Sequence, residues 1–187
     1  MDKKIKYEQA VQKYTGLILN DPANPRLYNN RGIAYFKKGR YDLAIADFKK
    51  SLEMNPEFIL AYINRGNTYQ IMGHYEQALL DFDMAIHLAP ENGLAYNNRG
   101  FTFILTGNFK KAEDDIRKAI ELNPSNIYAL NSMAELFAVQ GNASEACRWL
   151  KKAIAKGYNN WGYLRTSGTY DKIRDSKEFK EILKSER

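Results

Sequence analysis

The feature that most constrains this sequence is a repeat with a period of 34 residues. Glycines recur at that spacing, at Gly39, Gly73, Gly107 and Gly141. Alanines recur in the same register, at Ala44, Ala78, Ala112 and Ala146, and prolines follow at Pro56, Pro90 and Pro124. A fixed period in this range is typical of supersecondary units that stack into a solenoid, because one such unit is too small to bury its own apolar face.

Within each unit, the spacing of apolar residues predicts two helices. Tyr28, Gly32 and Tyr35 are separated by four and three positions, so they share one face of a helix. Gly39 allows the left-handed backbone conformation that ends a helix. A second amphipathic helix follows, with its apolar stripe at Tyr41, Ala44, Ile45, Phe48 and Leu52. Pro56 ends it, because proline disfavours helical geometry in the residue before it.

This pattern resembles the tetratricopeptide repeat. The first full unit matches the consensus of that family at Tyr28, Gly32, Tyr35, Gly39, Ala44, Phe48 and Pro56. The resemblance implies an all-α fold, a right-handed superhelical α-solenoid of stacked helix-turn-helix units. It places units at residues 25–58, 59–92, 93–126 and 127–160. The fourth is divergent, because Gly157 and Tyr158 stand where the proline belongs.

The repeat also organises the two ends of the chain. Residues 1–24 continue the register backwards and are predicted to form the second helix of a partial unit. Its apolar face is expected to be an exposed edge suited to self-association, with these residues on it: Tyr7, Val11, Tyr14 and Ile18. Residues 161–187 are predicted to be a capping segment. Its last helix, over about 176–185, would begin at Asp175 or Ser176.

Charged residues repeat as well, at Arg31, Arg65 and Arg99 and at Asp47, Asp81 and Asp115. In the fourth unit both are replaced together, by Met133 and Trp149. This joint loss predicts that each arginine pairs with an aspartate, since a half-buried charge without its partner is destabilising. The partner lies within the same unit or in the next one. We favour the same unit, because the other register would set Lys13 against Arg31, and we expect these pairs to be structural.

The remaining face of each first helix, which we call the groove face, is unusually apolar and carries regularly spaced asparagines. Its predicted residues are Asn30, Ile33, Phe36, Asn64, Asn67, Ile71, Asn98, Phe101, Leu105 and Tyr128. The same spacing adds Ser132 and Glu135 in the fourth unit. In the family that the chain resembles, this face forms a concave groove that binds partner segments. Asparagine amides both donate and accept hydrogen bonds, so they suit a peptide backbone. In the alternative interpretation, these residues pack between neighbouring first helices and the asparagines bridge them.

A subclass of the family binds the C-terminal carboxylate of chaperone tails through lysines, an arginine and asparagines. Here the positions that would need cations hold Asn29, Ile63, Leu94, Asn98, Tyr128 and Ser132. A carboxylate would therefore lose its hydration without gaining a fixed positive charge. The net charge of +6 does not predict nucleic-acid binding either, because basic residues cluster on the predicted second helices and the groove face itself has only Arg26 and Lys37.

Nothing in the sequence indicates catalysis. His74 and His87 have no cysteine or carboxylate at ligand spacing, so we predict no metal and no cofactor. The single Cys147 is typical of a reducing compartment and favours a cytoplasmic protein. No apolar run approaches the roughly 20 residues that span a bilayer, so no membrane association is predicted. The sequence therefore predicts a protein–protein interaction scaffold that binds a peptide segment in its groove. Homodimerisation through the N-terminal edge is the alternative.

Overall fold

The computed structural model describes residues 3–185, and every regular element in that range is a helix. The chain divides into two compact units, called the first unit and the second unit below, and the boundary in the sequence falls between Pro90 and Glu91. The first contains α1 (Lys3–Asn20), α2 (Pro25–Lys37), α3 (Tyr41–Met54), α4 (Ile59–Ile71) and α5 (Tyr75–Leu88). The second contains α6 (Gly93–Leu105), α7 (Phe109–Leu122), α8 (Ile127–Val139), α9 (Ala143–Ala155), α10 (Trp161–Thr166), a 3-10 helix (Gly168–Ile173) and α11 (Lys177–Lys184). The prediction of an all-α fold built from helix pairs is confirmed. Residues 1, 2, 186 and 187 of the predicted terminal segments lie outside the described residues.

Each helix pair is defined by local signals at its ends. Asn24 caps α2 by accepting a hydrogen bond from the Arg26 amide at 3.1 Å, and Pro25 occupies the first helical position. The turn after α2 depends on Gly39, whose φ of 73° is the left-handed conformation that glycine tolerates best. Equivalent glycines with φ between 76° and 79° follow the other three first helices, at Gly73, Gly107 and Gly141. The repeat thus fixes where each helix pair turns.

Close contact between paired helices depends on small residues at fixed positions. A Cβ atom on Gly66 would lie 2.7 Å from the Phe82 ring, and one on Gly32 would lie 2.6 Å from the Phe48 ring. Both phenylalanines are buried, so their rings fill the space above each glycine. Ser51 donates a hydrogen bond to the Pro25 carbonyl at 2.8 Å, which ties the end of α3 to the start of α2. These contacts position the first helices, whose other faces carry the predicted site.

The N-terminal edge differs from the sequence prediction. Val11 and Ile18 are only 8% and 9% exposed, so they are core residues of the first unit and do not form an open edge. The reason is that α1 packs against α2 and turns this apolar stripe towards it. Tyr7 and Tyr14, on the same stripe, are half-buried. The large apolar residues that α1 exposes are Ile5, Leu17 and Leu19.

The C-terminal segment is an integral part of the second unit. Ser176 caps α11 by accepting a hydrogen bond from the Phe179 amide at 3.2 Å, at one of the two predicted positions. Leu164, Tyr170 and Phe179 are fully buried in a cluster shared with α8 and α9. The 3-10 helix packs against α8, while α11 packs against α9. Sequence analysis does not predict α10 or the 3-10 helix. These two elements cover part of the groove face of α8.

Candidate functional site

The repeated charges form ion pairs within each helix pair. Arg31 Nη2 lies 2.7 Å from Asp47 Oδ1, and its Nε lies 2.8 Å from Oδ2. The Arg65–Asp81 pair has distances of 2.6 and 2.9 Å, and the Arg99–Asp115 pair has distances of 2.7 and 2.8 Å. Each guanidinium therefore binds its aspartate through two parallel hydrogen bonds. Each arginine therefore pairs with the aspartate of its own 34-residue repeat, which is the pairing that the sequence favours.

The environment of these pairs shows why both partners are needed. Burial raises the pKa of Asp81, and the adjacent Arg65 guanidinium opposes that shift. The Arg65 guanidinium also lies over the Tyr62 ring, 5.7 Å from its centroid. A carboxylate buried in this way is stable only while its cation is present. The pairs link the two helices of each 34-residue repeat, at positions that helical spacing places off the groove face.

In the first unit, the groove face forms a pocket of about 160 Å³ between α2 and α4. Its lining residues are Ile33, Phe36, Lys37, Phe48, Asn64 and Asn67. Four of these are predicted groove residues, and all four are half-buried, so they remain accessible to a ligand. Ile71, one turn further along α4, is 54% exposed. The structure thus brings most of the predicted site residues of this unit into one concave surface.

The asparagines of the groove face have more than one role. The Asn64 side-chain amide donates to Asn29 Oδ1 at 3.0 Å and so bridges α4 to α2. Asn29 is buried, and its own amide lies 3.5 Å from Asn30 Oδ1. In the second unit, the amide of buried Asn97 lies 3.4 Å from Asn98 Oδ1. Helix bridging, the alternative interpretation of these residues, therefore accounts for the Asn64 donor.

In the second unit, the groove face forms a wider pocket of about 450 Å³. Its floor consists of Phe101, Ile104, Leu105 and Val139, and its rim consists of Tyr163, Ser167, Gly168 and Thr169 from the C-terminal segment. The rim was not predicted, because sequence periodicity does not show where residues 161–173 lie. Tyr128 is 63% exposed and lines a different pocket with Ile127, Tyr158, Asn159 and Asn160.

The prediction that Ser132 and Glu135 belong to an open groove face is wrong. Both are buried, and Glu135 is only 2% exposed, because the C-terminal segment covers this part of α8. Glu135 Oε1 accepts hydrogen bonds from the Tyr163 hydroxyl at 2.5 Å and the Thr169 hydroxyl at 2.9 Å. Glu135 Oε2 accepts from the Asn131 amide at 2.9 Å, and Asn131 Oδ1 accepts from the Tyr170 hydroxyl at 2.8 Å.

Burial raises the pKa of Glu135 to about 7, although its three hydrogen bonds act in the opposite direction. The titratable groups that face it are the phenols of Tyr158, Tyr163 and Tyr170, which come from three different stretches of the chain. Burial also raises their pKa values, so these phenols stay neutral near pH 7. Glu135 is therefore a carboxyl group that titrates near neutral pH inside the second unit.

We predict that Glu135→Gln removes a pH dependence of stability. The folded-state pKa of Glu135 lies above the ordinary value of 4.5, so its stabilising contribution is complete below pH 4.5 and is lost as the pH rises through 7. The neutral variant should match the wild type at pH 4 and exceed its unfolding free energy by about 3 kcal/mol at pH 8.5. Urea unfolding at both pH values measures this difference. The exposed Glu181→Gln variant is the control, and a gap for Glu135→Gln that is equal at both pH values would refute the assignment.

The remaining chemistry of the described residues does not indicate catalysis. Cys147 is buried, and burial raises its pKa to about 11, so the thiol is not a nucleophile at neutral pH. Within residues 3–185, no three His, Cys, Asp or Glu side chains cluster in a way that could hold a metal ion. None of the helices described in that range is long and apolar enough to cross a bilayer.

Comparison with family models places repeats over much of the chain. The model described as "Tetratricopeptide repeat" matches residues 25–58, 59–92 and 93–126. A second model, described as "TPR repeat", matches residues 6–39, which include α1 and α2. No curated protein sequence matches the chain.

Solved structures provide further comparisons. The chain is 25% identical to MamA, with a TM-score of 0.68 over 83% of this chain and 95% of that one. It is 22% identical to YrrB, described as a TPR protein with an unusual peptide-binding site, with a TM-score of 0.64 over 94% and 91% of the two chains. It is 26% identical to the first TPR of Spaghetti (RPAP3) bound to the HSP90 peptide SRMEEVD, with a TM-score of 0.58 over 60% and 90%.

Proposed function

Because the chain belongs to the tetratricopeptide repeat family, we propose that it is a protein-interaction scaffold that binds an extended segment of a partner protein on its groove face. The observation that carries this proposal is the pocket between α2 and α4. Its apolar residues Ile33 and Phe36 lie beside the polar residues Asn64 and Asn67. Peptide sites commonly combine apolar pockets for side chains with amides for the backbone.

The identity of a bound segment is constrained by charge. The related Spaghetti domain binds a chaperone peptide, but a free C-terminal carboxylate is a poor fit to this chain. Two of the positions that would need a clamp cation, Asn29 and Ile63, are buried and uncharged. Lys37 supplies one positive charge in the first-unit pocket, and its ammonium lies 5.5 Å from the Phe36 ring centroid. We therefore propose an internal segment as the partner, and we assign the groove no catalytic role.

The proposal predicts that peptides selected on the wild-type protein depend on the groove face. Random peptides displayed on phage would be selected against the full chain and then synthesised. Asn67→Ala and Phe36→Ala should each weaken their binding about fivefold to thirtyfold, because the loss of a central polar or apolar contact typically costs 1–2 kcal/mol. Isothermal titration calorimetry measures the change. Lys50→Ala, on the exposed side of α3, is the matched control and should bind like the wild type.

Two outcomes would count against this function. In the first, selection yields no peptide that binds in solution; in the second, the selected peptides bind both groove variants with wild-type affinity. Sedimentation at several protein concentrations separates the alternative class. A concentration-dependent dimer together with failed peptide selection would favour self-association over peptide capture.

A further inference from the structure

The hydroxyl groups on the rim of the second-unit pocket can be assigned donors and acceptors by counting protons. Tyr163 and Thr169 each have one hydroxyl proton, and both are donated to Glu135 Oε1. The Ser167 and Thr169 hydroxyl oxygens are 2.8 Å apart. Because the Thr169 proton is already used, Ser167 must be the donor in that contact. The Tyr163 and Thr169 protons are therefore used by the Glu135 carboxylate, and the Ser167 proton is used by the Thr169 oxygen.

This arrangement gives the pocket a defined polarity. Once their protons are committed, the three hydroxyl oxygens offer only lone pairs to a ligand. Behind them lies the Glu135 carboxylate, whose third hydrogen bond comes from Asn131. The Arg174 guanidinium donates to the Ser167 backbone carbonyl at 2.6 Å, and it is not among the groups that shift the pKa of Glu135. The rim is therefore an acceptor surface above an apolar floor, with a carboxyl group behind it that is negatively charged above its pKa.

From this polarity we propose that the second-unit pocket binds an apolar side chain of the partner segment that is flanked by lysine or arginine. The inference rests on the proposed function and specifies the chemistry of the partner at one end of the groove face. The apolar side chain would contact Phe101, Ile104 and Leu105, while the neighbouring cation would lie against the hydroxyl oxygens. Charge-assisted hydrogen bonds of this kind are stronger than neutral ones, and more so where water is partly excluded.

The same polarity disfavours acidic partners. A glutamate or a C-terminal carboxylate on the rim would face lone pairs and a like charge, with no donor available from Tyr163, Ser167 or Thr169. The cation would also stabilise the ionised form of Glu135. Binding and ionisation are therefore linked, and affinity should be higher above the pH at which Glu135 titrates. This linkage provides a readout that an ordinary apolar pocket would not show.

The experiment uses two short peptides with acetylated and amidated ends. One places leucine between two lysines and the other places it between two glutamates, in an otherwise identical glycine–serine sequence. Each is titrated into the full ¹⁵N-labelled chain at pH 8 and pH 6 while the backbone amides of Leu105 and Gly168 are followed. At pH 8 the lysine peptide should bind at least tenfold more tightly than the glutamate peptide. At pH 6 its affinity should fall roughly tenfold, because about a tenth of a carboxyl group with a pKa near 7 stays ionised there.

Two variants separate this mechanism from simple apolar binding. Glu135→Gln should remove most of the lysine preference and its pH dependence. Its side chain can keep the network if the Asn131 amide turns over and Tyr170 accepts in place of donating. Phe101→Ala should weaken the lysine peptide at both pH values. Equal binding of the two peptides, an absence of shifts at Leu105 and Gly168, or an unchanged pH dependence in Glu135→Gln would overturn the proposal.

The result is distinguishable from a failure of the proposed function. If phage-selected peptides bind the wild type and depend on Phe36 and Asn67, the scaffold function stands on the first unit alone. A lack of discrimination between lysine and glutamate peptides would then remove only the inference about the second-unit pocket. If no selected peptide binds at all, the proposed function itself fails.

Discussion

Replacement of Tyr170 by alanine should lower the free energy of unfolding by about 3–5 kcal/mol, the range found for large aromatic residues in well-packed cores. Tyr170 is fully buried, and its ring stacks on Phe179 with centroids 5.2 Å apart. Its hydroxyl donates to Asn131 Oδ1, so the substitution removes both packing and a hydrogen bond. Urea unfolding followed by circular dichroism measures the change.

A matched variant divides this effect into its two parts. Tyr170→Phe keeps the ring and removes only the hydroxyl, which leaves Asn131 Oδ1 without that donor in a buried site. The expected loss is about 1–2 kcal/mol. If Tyr170→Ala were no more destabilising than Tyr170→Phe, the C-terminal segment would not be packed into the core of the second unit. The finding that this segment covers the groove face of α8 would then be wrong.

The second large effect concerns the repeated ion pair in α4 and α5. Asp81→Ala should reduce the free energy of unfolding by about 3–5 kcal/mol, because it leaves the Arg65 guanidinium half-buried without its carboxylate. Arg65→Met should be less destabilising in the Asp81→Ala background than in the wild type, with a coupling energy of at least about 1 kcal/mol. Unfolding of the four proteins in a double-mutant cycle measures this coupling.

An exposed ion pair supplies the control for this cycle. Lys110 and Asp114 are 2.9 Å apart on the surface of α7, where water screens both charges. Removal of either partner there should leave the unfolding transition unchanged within error. Independent effects of the Arg65 and Asp81 substitutions would contradict the structural role that their joint repetition indicates.

The sequence predicts the fold because its signals are local and repeated. Turn glycines, the spacing of apolar residues and the matched arginine and aspartate each appear several times in one register. Each instance therefore supports the others. Gly39 and Arg31, for example, can be placed within their helix pair without knowledge of any distant contact. The elements that these residues define are the ones that the structure contains.

The site is predicted less completely, because periodicity assigns residues to a helix face but does not show what covers that face. Val11 and Ile18 form an apolar stripe that could have been exposed, yet α1 turns it towards α2. Glu135 occupies a groove position by spacing, yet residues from the C-terminal segment bury it. A signal was present in the sequence: Asn131, Ser132 and Glu135 are polar residues on a largely apolar helix, and Tyr163, Thr169 and Tyr170 supply donors that Asn131 and Glu135 require.

The most direct test of the central claim is site-specific photo-crosslinking of the selected peptides. A photoreactive amino acid would be placed at Ile71, which is 54% exposed on the groove face of the first unit, and at Lys50 on the exposed side of α3 as the control position. If first helices bind the partner segment, the Ile71 position should crosslink to the peptide, unlabelled peptide should compete, and the Lys50 position should give no product. Equal crosslinking from both positions, or crosslinking from Lys50 alone, would contradict the account.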